Sequence, residues 1–128
     1  MSNDLIADTL ARLKNAVQRQ KKVVEVVNTN MVVNVLEILE QESFIGGFEV
    51  NEETNMIDVK LRYVNSEPVV ANFIRVSKGG QRIYVTKKEI LPVMNGRGIS
   101  IISTSQGLMT GAMAKSKSLG GEYICKVW

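Results

Sequence analysis

The 128-residue chain is 45% hydrophobic and 23% charged, with no repeat or low-complexity tract, and reads as one domain or two very small ones sharing a core. It has no histidine and a single cysteine, which excludes Ser-His-Asp triads, Cys-His pairs, His-ligated zinc and an internal disulfide; no metal, cofactor or catalytic residue is expected. No apolar run nears the ~20 residues of a membrane span, and Met1-Ser2-Asn3-Asp4 is acidic where a signal peptide is basic, so a cytoplasmic protein without membrane contact is expected.

A first helix is expected over residues 4–17, because Ile6, Leu10, Leu13 and Val17 recur at helical spacing behind the candidate caps Ser2, Asn3 and Asp4. Asp8 and Arg12 stand four apart on it. Arg12, Lys14, Arg19, Lys21 and Lys22 make a positive cluster that serves either the helix dipole or a nucleic-acid contact. Val23, Val24, Val26 and Val27 form a short strand, after which Asn28 or Thr29 caps a second helix whose Val32, Val35, Leu36 and Leu39 share a face. Gly46-Gly47 ends that stretch. Residues 48–50 and the alternating Ile57, Val59, Leu61 and Tyr63 flank a polar turn at 51–55, a hairpin with one buried face, and residues 69–76 supply a third strand. The first unit, 1–76, is thus a helix-strand-helix-hairpin arrangement.

Ser77-Lys78-Gly79-Gly80 is the expected boundary, since two glycines after a strand let the backbone change direction. The second unit, 77–128, holds a strand at 82–86, a short helical turn at 87–91 ended by Pro92, a turn at Gly96-Arg97-Gly98 and a strand at 99–105. Thr110 caps a helix reaching about residue 119, Gly120-Gly121 ends it, and 122–128 closes the sheet. The expected fold class is α+β: two small packed α/β units, the second mainly β with one helix. Charge divides with structure. Residues 1–76 hold eight Lys or Arg against eleven Asp or Glu, and residues 77–128 eight against two, so the net charge of +3 conceals a basic second unit suited to a polyanion.

The dinucleotide pattern fails at Gly96-Arg97-Gly98, whose sixth position is Ile101, and no Gly-Lys-Ser or Gly-Lys-Thr supplies a phosphate loop. Ser105 has Gly107 two residues on but Ser103 two residues before, so the nucleophile elbow is incomplete; a Ser-Lys pair with Lys115 or Lys117 is the remaining catalytic alternative. Ser103, Thr104 and Ser105 end an apolar strand and run into a glycine turn. Their hydroxyls either close local turns or meet the 2′-hydroxyls and base edges of an RNA minor groove. Lys78, Arg82, Lys87, Lys88, Arg97, Lys115 and Lys117 surround them as phosphate partners, with Tyr84 either a stacking platform or core. Lys115 and Lys117 point roughly 200° apart on a helix and cannot clamp one phosphate. Glu122 is either an orienting acceptor or an ordinary ion-pair partner. Cys125, within the alternation Tyr123, Cys125, Val127, reads as a buried structural thiol. A protein-interaction module facing an acidic partner is the alternative to RNA binding.

Residues 98–128, with Ser103-Thr104-Ser105-Gln106-Gly107-Leu108-Met109-Thr110 and Gly120-Gly121-Glu122, resemble the bacterial family of small-subunit ribosomal protein eight. The likeness extends through Arg82-Ile83-Tyr84, Ser43-Phe44-Ile45 and residues 4–15, where Ile6-Ala7-Asp8, Leu10, Arg12 and Asn15 fall at family positions. It implies a non-enzymatic constituent of the ribosome that binds a helical junction in the central domain of small-subunit ribosomal RNA and helps assemble the platform. It implies that Ser103, Thr104, Ser105, Gly107, Gly121 and Glu122 form the main RNA surface, with Arg12, Asn15, Arg82, Tyr84 and Lys87 as secondary contacts. It also implies small-subunit proteins five and twelve as neighbours and, in some members, repression of the protein's own operon messenger RNA. One segment and two single positions depart from the family pattern. Asn28-Thr29-Asn30-Met31-Val32 is uncharged where relatives carry proline, serine and basic residues, Gly79 replaces a usual proline, and Arg97 replaces a common apolar residue.

Overall fold

The computed structural model describes residues 4–128; the candidate caps Ser2 and Asn3 lie outside them. The chain is α+β and forms two compact units, Leu5–Ala71 and Asn72–Trp128 together with Asp4.

In the first unit, helix α1 (Leu5–Gln18) buries Ile6, Leu10, Leu13 and Val17 on the expected stripe, widened by Thr9 and Ala16. Thr9 is tolerated there because its hydroxyl donates back to the Leu5 carbonyl at 2.8 Å. Strand β1 (Val23–Val27) leads to helix α2 (Asn30–Gln41), where Thr29 rather than Asn28 is the cap, its hydroxyl accepting the Val32 amide at 3.2 Å. Strands β2 (Ile45–Asn51) and β3 (Met56–Leu61) complete an antiparallel sheet in the order β1-β3-β2, with α1 against β1 and α2 against β2. Ile57 and Val59 alternate into the core with Asp58 and Lys60 outside it, which pins the hairpin register. The hairpin turn is held by Asn51 Oδ1, which accepts from the Glu53 amide at 3.0 Å.

Two expectations for this unit are corrected. Gly46-Gly47 does not end α2; Ser43 does, by taking a left-handed conformation (φ 63°) so that the Phe44 amide returns to the Leu39 carbonyl at 2.9 Å. The glycines lie inside β2, where the register shifts between Ile45 and Gly47. Residues 69–76 are not a third strand of this sheet. A short ribbon of β4 (Tyr63–Val64) and β5 (Glu67–Pro68) closes the unit, and β6 (Phe73–Arg75) pairs instead with a strand of the second. Hydrophobic patterning marks a strand, but its hydrogen-bonding partner is a non-local choice.

The second unit is built around β10 (Gly121–Val127), flanked on one side by β6 and β7 (Tyr84–Val85) and on the other by β8 (Ile99–Thr104), which pairs with β9 (Gly107–Thr110). The expected strand at 82–86 is only β7, and β9 was not anticipated at all, because Gly107 masked a strand that starts on it. Thr110 caps α3 (Gly111–Ser116), its hydroxyl accepting the Met113 amide at 3.2 Å. The helix stops before Gly120, at Ser118 (φ 59°), where the Leu119 amide reaches the Ala114 carbonyl at 2.8 Å. Ile90, Ile102 and Ala114 centre a core joined by Val85, Met109, Leu119 and Tyr123. A bulge in β10 between Tyr123 and Cys125 breaks the simple alternation and buries Ile124 as well as Cys125 and Val127.

Candidate nucleic-acid interface

The strand register assembles the second unit's site. Glu122 lies opposite Tyr84 on β7 and opposite Ser103 on β8, and Ser103 lies opposite Leu108 on β9. Directly opposed residues project to one face of a sheet, so Tyr84, Glu122, Ser103 and Leu108 form a row. Tyr84 is 67% exposed, so it is a surface residue and not a core residue. Gly121 lets the row form: a Cβ there would collide with the Ser103 carbonyl oxygen, so any larger residue would push β8 from β10.

At the end of β8 the three hydroxyls have different employment. Thr104 closes the turn, its Oγ1 donating to the Gly107 carbonyl at 2.9 Å and accepting the Gln106 amide at 3.0 Å. The side chains of Ser103 and Ser105 make no hydrogen bond among the described residues, and Ser105 is exposed. The turn reading therefore holds for Thr104, while the hydroxyls of Ser103 and Ser105 are left without a partner among the described residues. Gly107, opposite Thr104, sits at φ 108°, a conformation glycine takes without steric cost.

Glu122 and Arg82 form an ion pair, Nη1 to Oε2 at 3.0 Å. Burial pushes the Glu122 carboxyl up, but hydrogen bonds from Ser77 and Arg82, with the charges of Arg82 and Arg75, together hold it below its ordinary 4.5. Arg82 is thus partly committed, which the sequence did not reveal. Lys87 stands exposed on a 3₁₀ turn (Lys87–Glu89) braced by the Thr86 amide donating to Glu89 Oε1 at 2.7 Å. Lys78, Lys88, Arg97 and Lys117 are exposed as well, whereas Lys115 Nζ donates to the Ile90 carbonyl at 3.1 Å. With Lys115 occupied and Ser105 unbonded, no Ser-Lys hydrogen bond exists among the described residues.

Arg12 and Asn15 belong to the first unit, on α1, where they line a shallow groove of about 160 Å³ with Ala16, Arg19, Lys21 and Val24. Arg12 is tied to Asp8 at 3.0 Å, an exposed pair that costs little to break. The Tyr63 hydroxyl donates to the Lys21 carbonyl and steadies the segment after the helix. Arg19 and Lys21 are site candidates that the sequence reading noticed only as part of a charge cluster. Ser77 figures in the sequence only as part of the expected boundary; nothing in a serine between Val76 and Lys78 marks it as buried.

Fold and surface together define a small α+β protein whose second unit offers a basic, hydroxyl-edged sheet face. Its sequence is similar, over all of both chains, to small ribosomal subunit protein uS8 of Finegoldia magna (44% identical over 131 residues) and of Mesoplasma florum (41% over 129). Small ribosomal subunit protein uS8c of Cyanidium caldarium is 41% identical over 133 residues, again covering both chains in full. The family model described as Ribosomal protein S8 matches residues 4–128, and the chain belongs to that family of structural, non-enzymatic proteins.

Proposed function

We propose that the protein is a structural constituent of the small ribosomal subunit, in the cytoplasm, and that its second unit binds the central domain of small-subunit ribosomal RNA to help assemble the platform. The observation that carries this reading is the Tyr84-Glu122-Ser103 row beside the unbonded hydroxyl of Ser105. Small hydroxyls, a glycine backbone and one exposed ring suit a wide, shallow minor groove, where long side chains would find phosphates instead. Gly107 and Gly121 let the RNA backbone and strand β8 approach, and Thr104 holds the turn in shape. Lys87 and the other exposed cations of the unit supply phosphate attraction, and the Arg12-Asn15 groove of the first unit adds a secondary contact. A messenger RNA copying the ribosomal junction would be held by the same residues, which is the route to repression of the protein's own operon. Small-subunit proteins five and twelve are the proposed protein neighbours.

Titrating the protein into a central-domain RNA fragment at several salt concentrations tests the reading. Four to six phosphate contacts give a log-log slope of roughly −3 to −5. Equal affinity for a scrambled duplex, or a slope near zero, would rule it out in favour of a protein-docking role for the basic face.

A further inference from the structure

Ser77 is fully buried, with 0% of its surface exposed, and a buried hydroxyl persists where both its donor and acceptor functions are met. Its Oγ donates to Glu122 Oε2 at 2.6 Å and accepts the Ile83 amide at 3.1 Å. The main chain repeats the link: the Ser77 amide donates to the Tyr123 carbonyl at 3.0 Å and the Tyr123 amide to the Ile83 carbonyl at 2.8 Å. The loop from Ser77 to Ile83 is therefore fastened to β10 beside Glu122, and Arg82 on that loop reaches the same Oε2.

Both side-chain partners of Glu122 take one oxygen. Oε1 makes no hydrogen bond, and among the described residues no buried side-chain oxygen lacks a partner, so Oε1 opens to solvent. A carboxylate gripped at one oxygen and open at the other is an acceptor of fixed direction. It repels phosphate and accepts from a donor, which in an RNA minor groove means a ribose 2′-hydroxyl or a guanine amino group.

We propose that Ser77 is a positioning residue for RNA recognition: with Arg82 it holds Glu122 by Oε2, so that Oε1 is presented as an ionised acceptor to a minor-groove hydrogen-bond donor. The proposal rests on the RNA-binding reading above. The groups around the carboxylate are Arg82 on the loop, Arg75 on β6 with its partner Asp4, Tyr84 on β7 and Ser103 on β8. Losing the Ser77 hydroxyl leaves burial less opposed, and the carboxyl moves up. The variant then takes a proton as pH falls through that raised value, where the wild type stays ionised.

The test is the affinity of the full chain for the central-domain fragment from about pH 5 to pH 8 at fixed salt. Wild type and Glu122→Gln are expected to give flat profiles. Ser77→Ala should lose about tenfold near neutrality, with any further loss toward acid setting in at a higher pH than in wild type, and its salt slope unchanged because no phosphate contact has gone. A Ser77→Ala profile parallel to wild type overturns the proposal, whereas wild-type indifference to this RNA sinks the function reading instead. Nuclear magnetic resonance titration of the Glu122 carboxyl in the free protein reads the same effect without RNA. If Ser77→Ala does not fold, Arg82→Gln, at an exposed residue, removes the other Oε2 partner and must raise the midpoint; no rise overturns the proposal. Fragments carrying 2′-O-methyl sugars or inosine for guanine identify the donor. One of them should abolish the difference between wild type and Ser77→Ala, and a difference that survives both overturns the assignment.

Discussion

Thr104 and Ser105 are adjacent hydroxyl residues with opposite expected behaviour. Thr104→Val removes the two hydrogen bonds that close the β8-β9 turn and is expected to cost about 1 kcal/mol of stability in urea unfolding. Ser105→Ala breaks no bond within the protein, so its stability should stay within about 0.5 kcal/mol of wild type while its affinity for the RNA fragment falls. Loss of affinity without loss of stability is the signature of a contact residue; equal stability losses for both variants would contradict the assignment. Cys125 is the other residue with a sharp expectation. It is fully buried and its thiol is pushed up to about 12 by burial, so alkylating reagents should leave it unmodified until the chain unfolds. Because the unfolded thiol ionises near its ordinary 9.0 and the folded one does not, stability should fall as pH rises from there toward 12. Nothing in the spacing of Ser103 to Ser105 distinguishes the turn hydroxyl from its neighbours; only the path of the strand beyond Gly107 does.

Helices and caps follow local rules closely in this chain, and their ends do not. Thr29 and Thr110 cap α2 and α3 as side-chain chemistry requires, and Thr29→Ala should lower stability by about 1 kcal/mol, measured as a shift in the urea midpoint with an unchanged slope. Both helix stops, by contrast, were assigned to glycine pairs that lie farther along. Ser43 and Ser118 take the left-handed cap at a modest steric cost, repaid by the returning backbone hydrogen bonds. The freed glycines then serve where chain approaches chain, as Gly121 does against Ser103. A glycine pair reads as a stop because its conformational freedom is local, but its lack of a side chain is a tertiary property.

Across the whole molecule, charge and unit boundaries go together more cleanly once β6 is placed. Leu5–Ala71 carries seven Lys or Arg against ten Asp or Glu, and Asn72–Trp128 nine against two. The first unit is acidic overall, yet its groove gathers Arg12, Arg19 and Lys21. If that groove meets phosphate, the double variant Arg19→Gln, Lys21→Gln should reduce the salt slope of RNA binding by roughly 1 to 2 while leaving preference over a scrambled duplex intact. An unchanged slope would confine binding to the second unit. Composition and pattern alone determined the α+β class, the helix stripes, the first hairpin, the basic second half and the absence of histidine chemistry, since each depends on residue type or short-range periodicity. The tertiary structure alone decided that β6 joins the second sheet, that Tyr84, Glu122 and Ser103 share a face, and that a buried Ser77 grips Glu122. Those facts depend on strand pairing and on burial, which bring together residues 19 to 54 positions apart in the chain, and no local pattern encodes which strand lies beside which.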